Sequence, residues 1–221
     1  MVLYILGAFI FGCMIPHISR RFAKFMPATP AYALWQIFVC GKKTRGTRNK
    51  NLRKKYYWRS VVFGLATASL SALFVLKFGS ENMGWYVFYL WTLLLLAEID
   101  VRMRLLPDIL TVPLLIIGFA YAALGLGWVI AAESALGALF GYFVPVVVSI
   151  FVVWKNKDAF GGGDIKLLAA LGAWLGIEPL LYVIVIASVL MLIYSVFRRC
   201  RTVPFGPGLT VAAIIVALCF F

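Results

Sequence analysis

The chain has 221 residues, of which 64% are hydrophobic, whereas soluble domains are about 45–50% apolar. This composition excludes an ordinary soluble domain and indicates an integral membrane protein. Only 13% of the residues are charged, yet the formal net charge is +13, so the placement of the basic residues decides what that charge means.

Hydropathy predicts an all-α, polytopic membrane helix bundle of about eight spans, because about 17–25 apolar residues cross a bilayer. The sixth segment is short for a span, which leaves a partly re-entrant segment open. The predicted segments are 2–18, 60–78, 83–99, 109–127, 129–153, 165–177, 179–197 and 204–221.

The basic residues are distributed asymmetrically among the connections between these segments. All but one of the 21 Lys and Arg residues fall in, or at the edges of, the first, third, fifth and seventh connections, and the exception is Lys77. Such asymmetry is the positive-inside pattern. It predicts that the amino terminus lies outside and that the odd-numbered connections face the cytoplasm, and it gives no reason to expect a nucleic-acid partner.

The first connection, residues 19–59, contains no acidic residue. Its stretch "GKKTRGTRNKNLRKK" predicts a basic cytoplasmic loop with a possible helical end entering the second span, and we expect it to face anionic lipid head groups. The first segment has no basic region before it, so we expect a span that stays in place and not a removable signal peptide.

Acidic residues are scarce, and their positions carry most of the chemical information. Glu81, Glu133 and Glu178 fall near the outer ends of predicted spans, where solvated ends need no further explanation. The other five lie on the predicted cytoplasmic side: Glu98, Asp100, Asp108, Asp158 and Asp164.

The stretch "LLLLAEIDVRMRLLPDILTVPLL" places Asp100 at the end of the third span. Ionisable groups at membrane depth are costly and are therefore paired or functional. One interpretation is a simple pair with Arg102 or Arg104 at the lipid boundary. Pro107 and Asp108 predict the start of the next helix, with a structural role for Asp108.

The stretch "FGGGDIKLLAALGAWLG" places three glycines directly before Asp164. Glycines allow close backbone approach, and non-helical backbone at membrane depth has to be buried in protein or line a cavity. The alternative is a flexible connection with Asp164 as a helix cap. A nucleotide site is disfavoured, because no strand precedes the glycines and no GK[ST] follows.

Asp100 and Asp164 fall on the same membrane face by the charge pattern. Two carboxylates that share a site do not both ionise easily. One can then act as general base for water while the other, protonated, polarises a carbonyl. That is the arrangement of an aspartic protease.

The stretches "IDVRMRLLPDILTVPLL" and "GGGDIKLLAALGAWLG" resemble the signatures of type IV prepilin peptidases, the bacterial GxGD intramembrane aspartic proteases, and "VPFGPGLTVAA" resembles a third family stretch. The resemblance covers residues 93–221. It implies that Asp100 and Asp164 are the catalytic pair, with Gly161 and Gly163 at the GxG positions. It also implies Lys166 as the motif lysine, although a snorkelling interfacial lysine is an equal alternative.

The resemblance further implies the substrate and the location. The enzyme would cut the basic leader from prepilins or pseudopilins, after a glycine, at the cytoplasmic face of the bacterial inner membrane. The pathway would be a type IV pilus, a type II secretion system or a DNA-uptake system, and cleavage would need no cofactor.

The amino-terminal part departs from the family pattern. The stretch "FGCMIPHISRR" keeps Gly12 but little else of the usual first-span sequence, and the usual paired CxxC zinc motif is absent. Methylation of the new amino terminus, with S-adenosylmethionine as cofactor, is therefore in question, and we predict no metal site. His17 is interpreted as a contact at a span end. Residues 1–59 then form a degenerate methyltransferase-like region, and residues 60–221 form the transmembrane peptidase domain.

Two other functions remain open. A small ion-coupled transporter would use intramembrane carboxylates, but it predicts acids near the bilayer midplane. A paralogue that assembles with a pilus or secretion machine without cutting is the second alternative, which the eroded amino-terminal part favours and the intact Asp100 and Asp164 oppose.

Overall fold

The computed structural model describes residues 2–25, 50–79, 81–155, 161–198 and 204–221. Every helix in these ranges is an α-helix, and the described residues contain no strand, which confirms the all-α prediction. The helices are α1 (Val2–Phe25), α2 (Lys50–Phe78), α3 (Met83–Met103), α4 (Asp108–Ala123), α5 (Ala131–Lys155), α6 (Gly162–Leu175), α7 (Ile177–Arg198) and α8 (Gly206–Phe220).

The eight predicted apolar segments correspond to these eight helices. Five of them contain stretches long and apolar enough to cross a membrane: Leu3–Ala23, Tyr57–Phe78, Met83–Met103, Ala131–Ile150 and Ile177–Phe197. The remaining three helices have 14 to 16 residues. The chain is therefore a multi-pass membrane protein, and the outside location of its amino terminus stays a prediction.

Two boundaries differ from the hydropathy estimate. Helix α1 continues to Phe25, and α2 begins at Lys50, ten residues before the predicted span. The second difference confirms that the basic connection ends in a helix that leads into the second span. Residues 26–49 of this connection lie outside the described residues.

The chain divides into two compact units, Met1–Met103 and Arg104–Phe221. The boundary predicted between residues 59 and 60 separates functions and not compact units, so it stays a prediction. The first unit contains α1, α2 and α3, each of which contacts the other two. Helices α1 and α2 cross closely at Gly12, because a Cβ there would overlap the Thr67 side chain and lie 2.7 Å from the Phe63 carbonyl oxygen.

The second unit is built around α6. Every residue from Ile165 to Leu175 is buried, apart from Lys166. Helix α6 packs against α4, α5, α7 and α8. Helix α6 therefore lies inside the unit. It ends at Gly176, whose φ of 81° is a conformation that favours glycine.

Helices α5 and α6 cross at backbone contact distance. A Cβ on Gly137 would overlap the Gly172 carbonyl oxygen, and one on Gly172 would overlap the Gly137 carbonyl oxygen. One turn further along α5, a Cβ on Gly141 would overlap the Leu168 carbonyl oxygen. The spacing of Gly137 and Gly141 is the GxxxG pattern by which membrane helices approach closely.

Two hydrogen bonds fix the carboxyl-terminal end of α6 next to this crossing. The indole N–H of Trp174 donates to the Leu114 carbonyl oxygen of α4 at 2.9 Å, and the Ser134 hydroxyl of α5 donates to the Ala173 carbonyl oxygen at 2.6 Å. Both bonds are buried. Since buried polar groups without partners are costly, these bonds specify how α6 sits between its neighbours.

We expect Gly172→Ala to destabilise the second unit, because the added methyl group has no room at the α5 crossing. Overpacking of this kind costs about 1–3 kcal/mol, which lowers Tm by several degrees. The measurement is thermal unfolding of the purified protein in detergent. The control is Gly84→Ala in α3, where no atom of the described residues lies within 4 Å of the added Cβ. Equal Tm values for the two variants would contradict the crossing.

Candidate active site

Asp100 lies in the last turn of α3 in the first unit, and it is only 5% exposed. Of the two arginines considered as its partners, Arg102 directs its guanidinium to Glu98, with Nε and Nη2 each 2.7 Å from Oε1. The buried aspartate thus sits beside an ion pair that belongs to another carboxylate.

Glu98 is the residue that the sequence reasoning missed. Its side chain is 2% exposed, and Arg59 Nη2 of α2 lies 2.9 Å from both of its oxygens. The spacing of Glu98 and Arg102, four residues apart on one helix, was the available signal. The contact with Arg59 gave no signal, because the two residues are 39 positions apart in sequence.

The turn after α3 starts the second unit. Arg104 has a φ of 52°, which is uncommon for a residue other than glycine. The chain then runs without helical structure to Pro107, whose φ of −73° and ψ of 132° place it just before α4. Its carbonyl oxygen accepts from the backbone N–H groups of Leu110 and Thr111. Helix α4 begins at Asp108, as predicted.

Asp108 does not cap its own helix. Its carboxylate accepts a hydrogen bond from the ammonium group of Lys166 on α6, at 2.6 Å. The side chains are 60% and 42% exposed. This ion pair joins the first residue of α4 to the second turn of α6. Lys166 therefore has a protein partner, which the alternative of a snorkelling interfacial lysine did not include.

Asp164 is the third residue of α6, and Gly161 is the N-cap. The interpretation of Asp164 as the cap is therefore wrong: glycine is acceptable at an N-cap, and the Gly161 carbonyl oxygen accepts from the backbone N–H of Asp164 at 3.0 Å. The half-buried carboxylate lies in the first turn, where the helix dipole favours negative charge.

The three glycines before Asp164 are not equivalent. A Cβ on Gly161 would lie 2.9 Å from Asp164 Oδ2, so a side chain there would displace the carboxylate. A Cβ on Gly163 would lie 2.8 Å from Leu106 Cβ and 3.3 Å from its backbone nitrogen and oxygen. No atom of the described residues lies within 4 Å of a Cβ on Gly162. The two constrained positions are those of the GxG pattern.

The second unit thus brings together Leu106, Asp108, Gly163 and Lys166 around the first turn of α6, which carries Asp164. Asp100 belongs to the first unit. The pairing of the two aspartates therefore stays a prediction.

The described ranges contain no group of three or more His, Cys, Asp and Glu side chains that could hold a metal ion. Cys13 and Cys219 are free thiols, while Cys40 and Cys200 lie outside the described residues. His17 is exposed on α1. The absence of a metal stays a prediction, and so does the relation of the chain to S-adenosylmethionine.

We expect Gly163→Ala to lower Tm by several degrees, because the methyl group would meet the backbone of Leu106 and push α6 away from the segment before α4. The control is Gly162→Ala, one residue away on the same helix, which has room for the methyl group. Thermal unfolding of both variants is the measurement. A Gly162→Ala variant as unstable as Gly163→Ala would contradict the contact with Leu106, because alanine has a higher helix propensity than glycine and Gly162 has room for the methyl group.

We expect the Asp108–Lys166 pair to contribute less than about 1 kcal/mol, because both side chains are well exposed and solvent screens the attraction. A double-mutant cycle with Asp108→Asn and Lys166→Gln measures the coupling. A coupling energy of several kcal/mol would contradict an exposed pair.

Comparison with known proteins places the chain in a family. The model of the "Type IV leader peptidase family" matches residues 87–196. Relatives named "Prepilin leader peptidase/N-methyltransferase" include one from Aeromonas salmonicida (strain A449), 38% identical over 138 residues, 58% of this chain and 46% of the relative. One from Escherichia coli (strain K12) is 36% identical over 172 residues, 74% of this chain and 76% of the relative.

A third relative of the same name, from Pseudomonas aeruginosa PAO1, is 37% identical over 163 residues, 70% of this chain and 56% of the relative. The chain spans about half the length of the first relatives it matches. No solved structure matches it. Since the Escherichia coli relative is covered over three quarters of its length, the chain belongs to the type IV leader peptidase family.

Proposed function

We propose that this chain is a leader peptidase that cleaves prepilins or pseudopilins. The observation that carries the proposal is membership of the type IV leader peptidase family, whose model matches a region that contains both Asp100 and Asp164. The curated relatives carry the name "Prepilin leader peptidase/N-methyltransferase". Their name supports a peptidase here, and the choice of mechanism rests on the residues of this chain.

We assign the chemistry to Asp100 and Asp164. Asp164 occupies a defined position, the first turn of a buried helix, and Gly161 leaves space beside its carboxylate. Asp100 is held at the end of α3 with almost no exposure. Both are carboxylic acids with short side chains, and both lie at helix ends.

In the proposed reaction, one aspartate is ionised and takes a proton from a water molecule, while the other is protonated and donates a hydrogen bond to the scissile carbonyl. The water oxygen bonds to the carbonyl carbon, and the C–N bond then breaks. The leaving nitrogen takes up a proton and becomes the new amino terminus. The leader keeps the carboxylate, which belongs to a glycine according to the family resemblance. Two carboxyl groups and one water balance this hydrolysis without a cofactor.

The charge pattern supports a cytoplasmic active site, because Asp100 and Asp164 both lie next to connections that carry the basic residues. A prepilin has a basic leader followed by an apolar helix. That helix can lie between membrane spans while the leader extends into the cytoplasm. Methylation is not part of the proposal, because the amino-terminal part of the sequence lacks the paired CxxC zinc motif that is usual in the family.

We expect Asp100→Asn and Asp164→Asn each to reduce cleavage by at least about 10²–10⁴-fold, the range for loss of a general acid or base. The measurement is the mobility shift of a co-expressed prepilin in membranes at matched enzyme levels. Glu178→Gln is the control, since this acid is exposed in the first turn of α7 and has no role in the proposal.

The outcomes separate the competing functions. If both asparagine variants cut normally, the aspartates are structural and the mechanism is wrong. If the wild type is inert on several prepilins, the chain is a non-cleaving member of the family. The intact mass of the product decides whether the new amino terminus is methylated.

A further inference from the structure

The most buried acid among the described residues is Glu98, at 2% exposure. Arg59 Nη2 lies 2.9 Å from each of its carboxylate oxygens. Arg102 Nε and Nη2 each lie 2.7 Å from Oε1. The Ser19 hydroxyl of α1 also donates to the Glu98 carbonyl oxygen, at 3.3 Å. We call the group of Glu98, Arg59 and Arg102 the Glu98 clasp.

The clasp and the Ser19 hydrogen bond together join three helices at one level of the first unit. Ser19 comes from α1, Arg59 from α2, and Glu98 and Arg102 from α3. This level lies two residues before Asp100. Successive residues of a helix are about 100° apart, so residues 98 and 100 face opposite sides of α3. Any effect of Glu98 on Asp100 therefore passes through the rotation and position of the end of the helix.

A clasp of this kind is better suited to fixing geometry than to adding stability. Replacing buried ion pairs by apolar side chains is often neutral or stabilising. Three guanidinium nitrogens around one carboxylate, however, restrict its direction as well as its distance. The Arg59 contact from α2 limits both rotation of α3 about its axis and sliding along α2, while Arg102 of α3 holds the Glu98 carboxylate in place for it.

We propose that Glu98, with Arg59 and Arg102, is a positioning residue that sets the orientation of Asp100 for peptide-bond cleavage. The inference rests on the proposed function, because it assumes a catalytic Asp100. It adds a residue to which no family comparison above gives a role. Glu98 itself does not touch the substrate.

The kinetic test uses purified Glu98→Gln, which keeps the shape of the side chain and removes its charge. We expect kcat per folded enzyme to fall by about 10–100-fold, the cost of a misplaced reacting group, with KM unchanged. The substrate is a peptide spanning a prepilin cleavage site. Ser71→Ala is the control, because it removes the 3.3 Å hydrogen bond from Trp91 in the same unit, about 18 Å along α2 from Arg59.

A second variant protects the test against misfolding. Glu98→Gln leaves two guanidinium groups without their carboxylate, whereas the double variant Arg59→Gln, Glu98→Gln has the net charge of the wild-type clasp and lacks its contacts. We expect this double variant to fold and still to show the reduced kcat. A double variant with wild-type kcat would overturn the proposal. A loss of activity no larger than the fraction of enzyme that is unfolded would overturn it too.

A measurement that needs no activity separates this inference from the proposed function. In an Asp100→Cys background, we expect Glu98→Gln to raise the rate at which a hydrophilic maleimide labels the introduced thiol in membranes, with mass spectrometry distinguishing it from the native thiols. Ser71→Ala should leave the rate unchanged. Unchanged labelling in Glu98→Gln would refute the clasp. An inert wild type would refute the peptidase proposal, while the labelling result still decides whether Glu98 holds position 100.

Discussion

The cost of placing charge at membrane depth is the constraint on which this structure depends. An ionisable side chain at the centre of a membrane helix costs about 2.5–3.5 kcal/mol on insertion scales. Each acidic residue in the described ranges lies in the first turn of a helix, in its last two turns or in a connection. The helix interiors are left to apolar packing. The polar chemistry of the chain is therefore concentrated at helix ends, and the candidate site residues lie there.

Two acids show how burial determines the partners that a carboxylate needs. Glu98, at 2% exposure, receives two guanidinium groups from two helices, whereas Asp108, at 60% exposure, is paired with one exposed lysine. A buried charge without several donors would be costly, while water satisfies most of the needs of an exposed one. The Glu98 clasp can therefore specify geometry, and the Asp108–Lys166 pair only adjusts the approach of two helix starts.

Local sequence patterns predicted the features that depend on neighbours in the chain. Apolar runs predicted eight helices, the proline before Asp108 predicted the start of α4, and the shortness of the sixth run matched the 14 residues of α6. Contacts between distant residues were not predictable in this way. Lys166 meets Asp108 across 58 positions, because the packing of whole helices decides which ends meet. The alternative of Asp164 as a helix cap was wrong, because a glycine three residues earlier serves as the N-cap.

Contacts at both ends of α6 set the position of Asp164. Helix α6 is buried along most of its length, and at Gly172 its backbone lies so close to that of α5 that a Cβ would overlap the Gly137 carbonyl oxygen. At the first turn, Gly163 lets the helix pack closely against Leu106. The absence of a side chain at Gly161 leaves room for the Asp164 carboxylate. A site carried by rigid, packed elements is held more closely than one carried by a loop. The spacing of the two constrained glycines is thus a consequence of geometry, since one faces a neighbouring segment, the other faces the carboxylate, and the glycine between them faces neither.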